Sequence, residues 1–176
     1  DEVKKSIGIC LDTCHFSVMF DDSLQSLRQM LDLGIRIPKV QLSSGLTFIG
    51  TDKDFYSRIA EFNDNTFLHQ YSKKTKGSRI SHYTDLPNSY IESEDISEYR
   101  VHFHVPLFEN NYEELKGTQN FTLDIIKFFS KGLEQNTVFE IETYSFEVLP
   151  AKYKNLTNIQ SIKKEFDWTL KNHRTL

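Results

Sequence analysis

Gly8-Ile9-Cys10-Leu11-Asp12-Thr13-Cys14-His15 is the stretch from which the rest of the chain is read. Ile7, Ile9 and Leu11 alternate with Gly8, Cys10 and Asp12. Side chains alternate faces along a strand, so residues 6–11 are expected to form a short apolar strand with Asp12 at its C-terminal end. A polar loop should follow, and then a helix from about Ser23 to Leu33. Asp21 or Asp22 can cap it, Leu24, Leu27 and Leu31 give its apolar stripe, and Gly34 supplies the stop. Residues 37–43 read as a second strand, with Pro38 tolerable at its start. Strand, helix and strand at this spacing make a βαβ unit and imply a parallel pair.

Further along, residues 51–63 read as a short helix carrying Phe55, Ile59 and Phe62, and residues 66–85 as a hairpin turning at Lys76-Gly77. Together they suggest an insertion over residues 51–98. Alternation then resumes with a strand at 99–105, a helix at about 119–131 ending at Gly132, a strand at 137–142, and a helix at about 157–171 capped by Thr157.

The strands share a pattern. Val40 and Leu42 oppose Lys39, Gln41 and Ser43; Val101, Phe103 and Val105 oppose His102 and His104; Phe139 and Ile141 oppose Glu140 and Glu142. A half-solvated antiparallel sheet would alternate in the same way. Two features favour another arrangement: helices separate the strands, and the polar set is rich in Asp, His and Glu. Polar residues at the C-terminal ends of parallel strands are the substance of barrel active sites. The fold expected is α/β, the C-terminal part of a (β/α)8 TIM barrel comprising its last three to four β/α units, with an inserted β-hairpin. The chain would then be one partial barrel domain over residues 1–176 that lacks its N-terminal half.

Bulk properties narrow the function. The 176 residues are 38% hydrophobic and 26% charged, with 14 Phe and 8 Tyr, which suits a globular core. A formal charge of -4 gives no basic footprint for duplex nucleic acid. No run of about 18 apolar residues predicts a membrane span. Cys10 and Cys14 read as free thiols, which suits the reducing cytoplasm.

Asp12 and His15 sit three apart where the first strand ends, and His102 and His104 point the same way by strand geometry. Glu142 adds a second carboxylate. Carboxylates with two or three imidazoles suit Zn²⁺, Mn²⁺ or Fe²⁺. Lys39 is a candidate anion ligand or general acid, with a solvated strand-start residue as the favoured reading, and Glu140 a candidate partner for it. His69 and His82 fall on the hairpin, as surface or interface residues or as part of a lid. His173, near the end of the last helix, reads as structural.

The segment Gly8–His15 resembles the sixth-strand motif of the xylose-isomerase-like superfamily, which includes sugar phosphate isomerases/epimerases and endonuclease IV. The resemblance implies that Asp12 and His15 are metal ligands. Ile141-Glu142-Thr143 resembles the last-strand motif and implies the same for Glu142. Val101–His104 resembles a paired Asp-x-His site with His102 in place of Asp, so His104 is implied as a ligand and His102 as a ligand or proton shuttle. Whether that stretch lies on a barrel strand or on an excursion after the Gln41 strand stays open. Over nearly the whole chain, Lys39–Ser44, Leu68–Gln70, Asp85–Pro87, Arg100–Phe108, Glu140–Tyr144 and Val148–Pro150 resemble the EboE family of metabolite traffic proteins. That likeness implies a barrel about twice this length, a small-molecule metabolite as partner, and companion proteins of a metabolite-export operon.

The resulting expectation is a metal-dependent isomerase, epimerase or related enzyme acting on a small polyol or phosphorylated metabolite. Asp12, His15, His104 and Glu142 would hold the ion, Glu142 and His102 would be catalytic, and Gln41, Lys39 and Glu140 would contact substrate. Glu142 or Glu140 can serve as base only when not engaged by the metal. The alternative is a non-catalytic metabolite-binding barrel. Phosphodiester cleavage of the endonuclease IV type ranks last, because Gln41 stands where that pattern has a metal-binding His.

Overall fold

A computed structural model describes residues 2, 6–87, 95–131 and 136–174. Its first part follows the local signals. Strand β1 (Cys10–Asp12) runs directly into helix α1 (Thr13–Val18); helix α2 (Ser23–Asp32) follows, then strand β2 (Lys39–Leu42). The Asp22 side chain accepts from the Gln25 amide to cap α2. Gly34, at φ 72°, ends the helix with its amide bonded to the Leu31 carbonyl. β1 and β2 are parallel, with Asp12 opposite Gln41. β2 in turn pairs in parallel with the late strand β9 (Val138–Ile141), giving the order β1-β2-β9. Two further helices, α4 (Gln119–Ser130) and α5 (Asn158–Arg174), join α2 in covering the apolar face of this sheet. There Leu11, Val40 and Leu42 pack with Leu27, Ile125, Ile126 and Phe129. Thr157 caps α5 by accepting from the Gln160 amide.

The rest of the chain departs from the barrel expectation. After Leu42 the chain enters strand β3 (Ser44–Phe48), then helix α3 (Asp52–Ile59) with a 3-10 turn (Ala60–Phe62). Strands β4 (Tyr71–Thr75) and β5 (Ile80–Tyr83) form the expected hairpin. Strand β6 (Ile96–Val105) and the short strands β7 (Asn111–Tyr112) and β8 (Leu115–Gly117) follow. These six strands make one antiparallel sheet in the order β5-β4-β6-β3-β8-β7. β6, left open between a barrel strand and an excursion after the Gln41 strand, runs antiparallel to β3 and β4. The TIM-barrel reading is therefore corrected to a mixed α/β fold: a three-stranded parallel sheet joined to a six-stranded antiparallel sheet, with five helices among the described residues.

The cause lies in how β6 is covered. One face packs Val101, Phe103 and Tyr99 into a core with Phe55, Phe62 and Leu46, where the Phe55 and Tyr99 rings stack 4.0 Å apart. On the other face sits α1. Gly45 permits this approach, since a Cβ there would lie 2.8 Å from the Val101 carbonyl and 3.0 Å from Cys14 Sγ. Alternation between two covered faces looks the same in sequence whether the neighbouring strands run parallel or antiparallel. The helix stop expected at Gly132 falls outside the described residues. Among those residues, no helix is long and apolar enough to cross a membrane.

Candidate metal centre

Asp12 is built into the site by its backbone role. It is extended, at φ -96° and ψ 119°, and caps α1: Oδ1 accepts from the amides of Cys14 (2.8 Å) and His15 (3.1 Å). The capping residue is what turns the segment expected as a loop into a helix. The first turn of α1 then carries His15 back over Asp12, with His15 Nδ1 2.8 Å from Asp12 Oδ2. Ser43 Oγ donates to Oδ1 at 2.7 Å. With Oδ1 occupied by three donors, Oδ2 is the oxygen that faces the other imidazoles, 3.8 Å from His104 Nε2.

His102 and His104 are two apart on β6 and so share the face covered by α1. Their Nε2 atoms approach to 3.0 Å. His104 Nδ1 lies 2.5 Å from the Glu142 carbonyl oxygen, which can only accept. Nδ1 therefore carries the proton, and in the neutral ring Nε2 presents a lone pair. The His15 ring stands 4.0 Å from that of His102, and Tyr144 stands 4.6 Å from His104.

Asp12, His15, His102 and His104 thus each offer a ligand atom, all within 4.8 Å of one another, and the group can hold a metal ion. Metal–ligand bonds of about 2.1 Å in tetrahedral geometry imply ligand–ligand edges of roughly 3.4 Å. The contacts of 2.8, 3.0 and 3.8 Å straddle that value. The carbonyl behind His104 is the outer-shell partner that fixes a ligating imidazole.

The electrostatics of His102 and His104 agree with this role. Burial and the neighbouring His104 and His15 hold His102 down to about 3, and burial likewise lowers His104 despite the pull of Asp12. Both rings are neutral near pH 7, as ligands must be. Burial resists ionisation of Asp12, but hydrogen bonding to His15, the field of His104 and the bond from Ser43 overcome it, leaving the carboxyl well below its usual range. His15 is raised by its bond to Asp12. Glu142 is pushed up to about 7 by burial, by the charge of Asp12 and by the bond it can donate to Asp12 when protonated. Its Oε2 is buried with no hydrogen-bond partner among the described residues.

Of the residues expected as ligands, the structure brings Asp12, His15 and His104 together and adds His102. Glu142 adjoins Asp12 but is not one of the four converging groups. The expected substrate contacts form a separate rim. Gln41 sits beside Asp12 in register, Lys39 pairs with Glu140, and Gln41 Nε2 donates to Glu140 at 3.2 Å. His69 is buried rather than superficial and pairs with Asp64. His82 stays exposed and shares a hydrogen bond with Ser72, and His173 is exposed near Phe139.

Sequence reasoning missed the residues that lock the site. Thr13 Oγ1 donates to the Ser43 carbonyl (2.7 Å) and accepts from the Ser43 amide (2.9 Å), and Thr122 Oγ1 also donates to that carbonyl. Glu165, fully buried on α5, accepts from the Leu107 amide and from Thr143 Oγ1, tying the exits of β6 and β9 together. Hydroxyls carry no periodic signal, so only the Asp-Thr step after an apolar run hinted at a cap.

Comparison of the chain with protein-family models, with curated proteins and with solved structures found no match.

Proposed function

We propose that this protein binds one divalent transition-metal ion, Zn²⁺ or Mn²⁺ with Fe²⁺ as the next choice, and acts on a small hydroxylated metabolite by proton transfer, as an isomerase or epimerase does. The observation that carries this reading is the convergence of Asp12, His15, His102 and His104 within 4.8 Å. Three imidazoles and one carboxylate suit these borderline ions. When bound, such an ion supplies Lewis acidity toward a substrate oxygen. The chain supplies the rest. Ser43 and the α1 amides orient the Asp12 carboxylate, the Glu142 carbonyl orients His104, and burial keeps His102 and His104 unprotonated. Glu142, which adjoins Asp12 and is not one of the four converging groups, is the carboxylate placed to accept and return a proton. The resemblance to EboE metabolite traffic proteins supports a metabolite as partner.

The test is metal analysis of the purified protein after each ion is supplied, followed by solvent-hydrogen exchange into candidate polyols. About one equivalent of ion, lost in His104→Ala and in Asp12→Asn, is expected; the Asn keeps an acceptor for the helix cap while removing the charge. Exchange lost in Glu142→Gln with the metal retained would identify the base. A protein that stays metal-free refutes the site. Metal binding without exchange on any polyol leaves a non-catalytic binding protein instead.

A further inference from the structure

We infer that the cleft beside His15 binds the apolar body of the substrate. The inference rests on reading the Asp12 cluster as a metal site. The cleft has a volume of about 220 Å³ and runs from His15 along α1 to the β4–β5 hairpin. Val18 and Met19 line it on the α1 side, and Tyr71, His82 and Tyr83 line it on the hairpin side. His15 belongs both to the cluster and to this cleft, so the two adjoin at its ring. At about 30 Å³ for each water-sized group, the space accepts on the order of seven such groups, a ring or a short chain.

Among the described residues the lining carries no lysine or arginine side chain, and an aliphatic or aromatic body placed there gains from leaving water. At the far end, Ser72 Oγ and His82 Nδ1 share a hydrogen bond of 2.8 Å, which leaves the other His82 nitrogen able to meet one polar group of the ligand.

Hydroxamates test this, since they bring a metal-binding head with a chosen tail. Affinities of acetohydroxamate, benzohydroxamate and phosphonoacetohydroxamate for the zinc-loaded full chain would be measured by calorimetry, alongside metal content. Benzohydroxamate should bind at least about tenfold more tightly than acetohydroxamate, and the phosphonate no more tightly than acetohydroxamate. Met19 is half-exposed, so Met19→Asp should fold. That variant should abolish the benzohydroxamate advantage while leaving acetohydroxamate affinity and bound zinc unchanged. An advantage that survives Met19→Asp, an absent one, or tightest binding by the phosphonate overturns the inference while the metal site stands. A chain that takes up no zinc removes the metal site, and this inference with it.

Discussion

Replacing Ser43 by alanine should loosen the cluster from behind. Ser43 is fully buried, and its hydroxyl donates to Asp12 Oδ1 at 2.7 Å while accepting the Cys14 amide at 3.0 Å. The amide keeps its second acceptor, Asp12 Oδ1 at 2.8 Å, so it is not orphaned. What disappears is one charge-assisted hydrogen bond to a largely desolvated carboxylate, of about 1.5–3 kcal/mol. Deleting one oxygen leaves only a small void, so the expected loss is about 2 kcal/mol in the metal-free protein. For a chain of this size that corresponds to roughly 4–8 °C in Tm. Urea unfolding in the presence of chelator would measure it as a lower midpoint at unchanged slope. Ser44→Ala is the control, because among the described residues its hydroxyl reaches only the Gly45 carbonyl, at a poor 3.4 Å. With Asp12 less well oriented, metal affinity should also fall by about 10- to 100-fold. A Ser43→Ala protein within about 0.5 kcal/mol of the parent, or no different from Ser44→Ala, would refute the reasoning.

Two more outcomes follow from the same geometry. Glu142 has its folded pKa raised, to about 7, so its ionisation penalises the metal-free fold increasingly as pH climbs from the unfolded carboxyl value through 7. Glu142→Gln should therefore stabilise the metal-free protein at pH 8 and change little at pH 4; denaturation at the two pH values checks this, and a gain confined to pH 4 would reverse the assignment. Cys10 is exposed and Cys14 buried, with the Cys14 thiol raised by burial and by Asp12. A thiol reagent should modify one cysteine in the native chain and both in denaturant, and rapid native labelling of Cys14 would contradict the seating of α1 between the sheets.

Much of the fold was legible because its signals are local. The Asp22 cap, the leucine stripe of α2, Gly34, the Thr157 cap and the apolar spacing of Phe55, Ile59 and Phe62 each act within a turn or two of chain, and each appears where the sequence puts it. Asp12, His15, His102 and His104 could likewise be singled out as a polar set at strand ends. β3 and the β7–β8 pair were not legible, because strands of two to five residues between turns carry too little pattern.

By itself, the sequence determined which side chains share a face: Val101 and Phe103 on one side of β6, His102 and His104 on the other. It did not determine which strands β6 pairs with, or in which direction. A period of two is identical for parallel and antiparallel neighbours, and pairing is a long-range choice set by what covers each face. Only the tertiary structure decided that β6 joins an antiparallel sheet, that α1 packs across it, and that His102 thereby meets His104, His15 and Asp12. The ligand types are a property of the chain, whereas their convergence depends on α1, capped by Asp12, bridging two sheets.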